Sequence, residues 1–428
     1  LANGVTGGSG GGIYMTGGTV TDCSIDGTGG TMSWHGGCIY MKNGTVRNTT
    51  CQNGTCTFAN NRLGGNVYME NGTLQNVTLR NGTAGDKGGN LYVKVGTING
   101  LTCEDGTATG NGGNVYMEGA ATIVGGVIRR GTATSKGGNV YMGDGMLQDL
   151  EISGGVLTGN VTDGEGGGNI FWNNGRISRC SITGGKLTGT DALRGGGINC
   201  VYTTNDNVTR LLEDCLLAEN ENAAIFCNRD FAAYNCSFVN NAGASVNSWR
   251  AITLDFHNCI IFGNTNSTGV THAWTGNRPV IKNVATDDTS LSNTDGYVAI
   301  TASAFADYTN GDYRPAADGA LVDAGIADVR VDASDKDLDG KPRLSEGVDI
   351  GCYEYQHSNM TVSFTAPAFD VGYAPATATF TASAENAPGD VSYEVNFGDG
   401  TLEVYTESQI SHVYTAIGTY TISVTAIS

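Results

Sequence analysis

The chain has 428 residues, 66 of them glycine, and a formal net charge of −19. An acidic surface of that size argues against nucleic acid or an anionic membrane as partner, since like charges repel. No run of 18 apolar residues occurs, so the sequence contains no transmembrane helix.

From its first residues the chain repeats itself. The pattern Gly-Gly-x-(Ile/Val/Leu)-Tyr-(Met/Val) starts at Gly10, Gly36, Gly64, Gly88, Gly112 and Gly137, and relaxes to GGNIFW at Gly167 and GGGINC at Gly195. The starts lie 24–30 residues apart, a period at which each repeat is one unit that buries its apolar side against its neighbours. A second segment follows each start: GTVTDCSI from Gly18, GTVRNTTC from Gly44, GTLQNVTL from Gly72 and GTINGLTC from Gly96, then ATIVGGVI from Ala121, GMLQDLEI from Gly145 and GRISRCSI from Gly175. Its third and eighth positions are apolar or thiol throughout. Its fifth is Asp22, Asn48, Asn76, Gly100, Gly125, Asp149 or Arg179, and all but Arg179 suit the left-handed backbone of a sharp corner.

Each repeat thus holds three short extended runs divided by corners, with no helical period. This predicts an all-β fold, a right-handed parallel β-helix whose coils stack about 4.8 Å apart. Weaker repeats around Cys215, Cys236 and Cys259 extend the pattern over residues 1–285, about eleven or twelve coils. Because LANGVTGGSGGGIYM already lies inside the repeat, the chain is expected to be a fragment of a longer protein: an open first coil would expose strand edges.

The twelve cysteines occupy columns rather than a disulfide framework. Cys23, Cys180, Cys215, Cys236 and Cys259 share one column, Cys51 and Cys103 replace Ile or Leu, and Cys200 and Cys227 replace Met. Stacked in register they are expected to be small apolar fillers with free thiols. The column Asn66, Asn90, Asn114, Asn139 and Asn169 reads as an amide ladder.

Tyr14, Tyr40, Tyr68, Tyr92, Tyr116, Tyr141 and Phe171 form an aromatic column flanked by aliphatic residues. If the aliphatic residues face inward, alternation turns the rings outward. Two readings follow: a strip on which sugar rings stack, and a ladder that stiffens the coil.

Beyond residue 286 the composition changes. Asn310-Gly311-Asp312-Tyr313-Arg314 precedes Val322-Asp323-Ala324-Gly325, and Asp337-Leu338-Asp339-Gly340-Lys341-Pro342-Arg343 precedes Asp349-Ile350-Gly351-Cys352-Tyr353-Glu354. This succession, over residues 286–357, resembles the C-terminal region of bacterial parallel β-helix surface proteins, the choice-of-anchor Q family; the repeats before it also resemble that family's solenoids, so the resemblance covers residues 1 to about 357, with the tail motifs as its specific part. The resemblance implies an exported, surface-displayed bacterial protein and brings no catalytic residues. The same stretch spaces Asp335, Asp337, Asp339, Lys341 and Glu346 like the ligands of a calcium loop, which makes Ca2+ a candidate cofactor.

Residues 359–428 alternate with period two between turn signals, the pattern of an antiparallel β-sandwich. Val395-Asn396-Phe397-Gly398-Asp399-Gly400-Thr401 followed by His412-Val413-Tyr414 resembles a PKD domain, with Val395 where that family usually has Trp. The resemblance implies an immunoglobulin-like extracellular spacer.

Parallel β-helices also include enzymes that cleave acidic polysaccharides. Asn293-Thr294-Asp295-Gly296 resembles one polygalacturonase motif, but Asp287-Asp288 precedes it, and the Gly-His-Gly and Arg-Ile-Lys elements are missing. Arg129-Arg130 has no evident acidic companions in the sequence. The reading is therefore a non-enzymatic secreted or cell-surface protein, an adhesin-like or structural rod. Its expected partners are a glycan, an extracellular protein or further copies of itself, with the loops at residues 163–168 and 203–207 as other binding surfaces. A polysaccharide lyase or glycoside hydrolase is the alternative.

Overall fold

The computed structural model describes residues 8–28, 34–57, 61–159, 166–188, 195–200, 210–247, 254–265, 274–275, 280–292, 296–327, 335–357, 360–370, 372–385 and 390–427. They form two units, Leu1–Tyr355 and Gln356–Ser428.

The first unit is a parallel β-solenoid. Its first face is a ladder of eleven described strands running from Ile13–Met15 to Trp274–Thr275. Register is strict: Tyr40 pairs with Tyr68, and Tyr68 with Tyr92. In each coil the chain then turns through a second and a third face, as in Thr73–Arg80, where Leu74 pairs with Ile98 and Leu79 with Cys103. The corner between these faces is left-handed in every repeat, at Asp22, Asn48, Asn76, Gly100, Gly125, Asp149, Arg179, Asp214, Asn235, Asn258 and Asn283. Arg179 accepts the same backbone as its neighbours because the stacked coil on either side dictates it.

The sequence pattern understated the coil. Two-residue strands at Thr55–Cys56, Thr83–Ala84, Thr107–Ala108, Thr132–Ala133, Val156–Leu157 and Lys186–Leu187 build a short fourth ladder. A second left-handed corner introduces it, at Asn53, Asn81, Asp105, Arg130, Gly154 and Gly184.

Inside, the aliphatic columns form one continuous core: in the third coil, Val67, Met69, Leu74, Val77 and Leu79 are buried together. The thiols behave as the fillers their columns suggest. All twelve cysteines are free, and all but Cys23 are buried.

After residue 286 the chain first closes the core and then lies along its side. Leu291 and Tyr297 pack on the end of the core. Ile300, Phe305, Tyr313, Leu321, Ile350 and Cys352 then cover the outer side of the third face, on Leu216, Val239, Ile260 and Ala285. The register explains the placement. The outward column reads Ser24, Thr50, Thr78 and Thr102 in early coils and carries Leu216 and Ile260, on either side of Ser237, in later ones, so the later coils gain most from cover. The segment 286–355 is a lateral strap as much as an end cap.

The second unit is an antiparallel sandwich. Ala376–Glu385 pairs with Thr361–Phe364, Ala368–Phe369 and Gln409–Tyr414, while Ser392–Asn396 pairs with Leu402–Tyr405 and Ser423–Ile427. Phe380, Val395, Phe397 and Ile410 lie buried between the sheets.

Candidate functional site

The aromatic column lies outside the aliphatic core, as alternation requires, but it is not open. Tyr40, Tyr68, Tyr92, Tyr116 and Phe171 are buried; Tyr14, on the first described coil, is 52% exposed. Beside the column runs a row of bridging residues, His35, Leu63, Lys87, Asn111 and Lys136, each paired to the next coil. Leu63 is buried with the tyrosines, and the His35 ring lies 4.8 Å from that of Tyr68.

The residues expected as a sugar strip or a stiffening ladder, Tyr14, Tyr40, Tyr68, Tyr92, Tyr116, Tyr141 and Phe171, run as one stack. Consecutive rings lie with centroids 4.4–5.2 Å apart and planes within 12°. From Tyr40 to Tyr141 each ring has a neighbouring ring on both faces. The stiffening ladder is the reading the geometry fits.

The hydroxyl edge is occupied as well, by a column the sequence reading passed over. Lys42, Glu70, Lys94 and Glu118 alternate in charge from coil to coil, and each reaches back one coil to a phenol. Lys42 meets Tyr14, Tyr40 donates to Glu70, Lys94 meets Tyr68 and Glu118 accepts from Tyr92. Burial, then the neighbouring carboxylates, push the Tyr40 and Tyr92 phenols well above their ordinary range. The position two after Tyr40, Tyr68, Tyr92 and Tyr116 carried the signal, as a Lys/Glu alternation with the period of the repeat.

The asparagine column is a bonded ladder. Asn66 donates to Asn90 at 2.6 Å, Asn90 to Asn114 at 2.7 Å, and Asn114 to Asn139 and Asn139 to Asn169 at 2.8 Å each. It continues through Asn220, Asn241 and Asn264. Each side-chain oxygen also accepts an N–H that opens the fourth face, such as Gly106 onto Asn114.

Two of the carboxylates expected to hold calcium, Asp337 and Asp339, have partners within the chain. Asp337 is buried, with one carboxylate oxygen accepting the Lys341 N–H and the other the Glu354 N–H. The Lys341 carbonyl accepts the Asp337 N–H. Asp339 is held by Arg314 at 2.7 Å. Asp335 and Glu346 complete the spacing, but among the described residues no three acidic, His or Cys side chains converge as a metal site would require. The loop instead delivers Arg343, wholly buried, to Asp214 at 2.8 Å and to the Gly351 carbonyl at 2.9 Å.

Among the described residues, those weighed for catalysis do not converge. Arg129 and Arg130, with Arg80, surround Glu104, the acidic companion the sequence did not reveal. Asp287 accepts the Gly263 N–H. His257 contacts Asp255 and His412 contacts Asp399, in different units. Residues 293–295 and most of the two loops at 163–168 and 203–207 lie outside the described residues.

Residues 356–428 match the PKD domain family, in agreement with the sandwich and its Phe397–Thr401 turn. Comparisons with curated proteins and with solved structures gave no match. PKD domains are typically extracellular, and no described helix is long and apolar enough to cross a membrane. A parallel β-solenoid joined to a PKD domain fits an extracellular surface or structural protein.

Proposed function

We propose that the chain is a non-enzymatic, adhesin-like extracellular rod that holds binding surfaces away from a cell. The observation carrying this reading is the direction of the functional groups. The phenols, amides and Lys/Glu pairs of the repeats are turned to the next coil and not toward a common cleft, which makes successive coils mutually reinforcing. The PKD match supports an extracellular place, and the resemblance of the tail motifs of residues 310–354 to bacterial surface proteins suggests display on a bacterial surface.

The test is turnover. Purified full chain incubated with neutral and acidic polysaccharides is expected to release neither reducing ends nor unsaturated products. Product release that scales with protein and survives repurification would replace this reading with the enzymatic one.

A further inference from the structure

Where the strap overhangs the middle coils it leaves a groove of about 590 Å³. Its floor is the corner between the second and third faces, with the start of the third, in three successive coils: Gly126-Val127, Asp149-Leu150-Glu151 and Arg179 with Ser181; its wall is the strap tip Leu338-Asp339-Gly340 with Tyr353. Glycine opens the floor at one end: Gly125 stands at the corner where the next two coils carry Asp149 and Arg179, and leaves no side chain there. At the wall, a side chain added at Gly340 would meet nothing within 4 Å.

Three features restrict what can enter. Asp149 and Arg179 form a two-pronged pair at 2.6 and 3.1 Å, placing acceptors and donors side by side, and Ser181 adds a hydroxyl. Glu151 is exposed and has no hydrogen bond or ion pair among the described residues. The other charges nearby are matched: Asp339 pairs with Arg314, and Lys336 lies close enough to Asp149 to act on its charge. Finally, the strands beneath are interior to the ladder, paired on both sides at Val127↔Glu151 and Glu151↔Ser181. A peptide therefore finds no free edge for strand addition, and a ligand must be read by side chains alone.

The geometry points to this groove as a binding site for an oligosaccharide carrying free amino groups. Its hydroxyls exchange hydrogen bonds with the Asp149–Arg179 pair and Ser181, and an ammonium is taken by Glu151. With Asp149 paired to Arg179 and Asp339 to Arg314, the unmatched charge of the lining is the Glu151 carboxylate, which disfavours uronate polymers. This deepens the adhesin-like reading and rests on it.

The test is titration calorimetry of the full chain with a β-1,4-glucosamine hexamer, with cellohexaose and oligogalacturonate as controls. The glucosamine hexamer is expected to bind. Glu151→Gln, which removes a charge-assisted bond, is expected to weaken it on the order of tenfold with the wild-type melting temperature, and Gly340→Trp to block it with a lowered one, because Gly340 turns the strap tip at a φ of +78°. Cellohexaose should bind more weakly, and oligogalacturonate not at all. Absence of binding by the wild-type chain, equal binding of cellohexaose, or unchanged affinity in both variants would overturn the assignment. Each of those results leaves the turnover test of the rod untouched, so the two readings fail separately.

Discussion

Arg343 Nη2 donates to Asp214 Oδ1 at 2.8 Å, joining residues 129 apart in the chain through a guanidinium with no exposed surface. Asp214 stands at a left-handed corner of the solenoid, so a repeat column and a tail motif meet in one buried ion pair. Around them lie Glu354, which contacts Arg343 at 3.4 Å, and the buried Asp337 and Asp349. Backbone N–H groups serve these carboxylates: Asp349 receives Asp323, and Glu354 receives Asp349.

Removing the guanidinium leaves buried carboxylates without their cation, a loss of about 3–5 kcal/mol. Arg343→Leu is therefore expected to release the strap before the coils melt. Limited proteolysis with mass mapping checks this: new cuts should concentrate in residues 300–355, while the aromatic-ladder coils stay resistant. Uniform digestion would contradict it.

Burial, with Asp349 as a like charge, raises the Glu354 carboxyl to about 8 from its ordinary 4.5. A raised acid binds its proton more tightly in the folded state. Its contribution is thus complete below about 4.5 and lost as pH rises toward 8. Melts of the full chain at pH 5.5 and 8.5 should show the strap weaker at the higher pH, and Glu354→Gln should flatten that difference. An unaltered slope in the variant would contradict the assignment to Glu354.

Tyr92 stacks on Tyr68 and Tyr116 at 5.0 and 5.1 Å. Tyr92→Ser loses two stacked pairs, about 1–3 kcal/mol beyond the lost burial, whereas Tyr92→Phe keeps them and loses only the bond to Glu118. Chemical denaturation should rank wild type, Phe, then Ser. Because the Tyr40, Tyr92 and Tyr116 phenols are raised, chiefly by burial, the stability they lend is complete below the ordinary phenol range and declines above it. Absorbance titration should show ladder phenolates forming only as the solenoid unfolds.

Asn114 makes four side-chain bonds, with Asn90, Asn139, Gly106 and the Arg129 carbonyl. Asn114→Leu strands their buried partners at about 1–3 kcal/mol each, partly offset by relaxation. Hydrogen exchange should rise at Gly106 and in the adjoining coils and fade with distance, as nearest-neighbour coupling requires.

The thiols offer a check on the core. With eleven of twelve buried, a maleimide should label native protein at Cys23 at most, and all twelve positions after denaturation without reductant. Recovery of fewer would reveal disulfides.

Much of the solenoid was legible because its constraints repeat. Gly36, Gly64, Gly88, Gly112 and Gly137 all adopt positive φ, and the Asn66–Asn169 column bonds as stacked amides must. What escaped was set by neighbours in space. The fourth ladder consists of two-residue strands such as Thr83–Ala84, too short to show a period. Whether Tyr68 is exposed depends on Leu63 and His35 folding over it, which alternation along one strand does not encode. The spacing of Asp335, Asp337 and Asp339 fitted calcium, yet spacing is silent on whether N–H groups and Arg314 already hold the oxygens. Arg343 could not be matched to Asp214 from sequence because nothing local links them.

The central claim, an extracellular rod, is tested most directly by locating the protein in the cells that make it. Antibodies to the solenoid, applied to intact cells and to the medium with a cytosolic marker as control, are expected to find it outside. Signal that emerges only after the cells are permeabilised, together with that marker, would contradict the account.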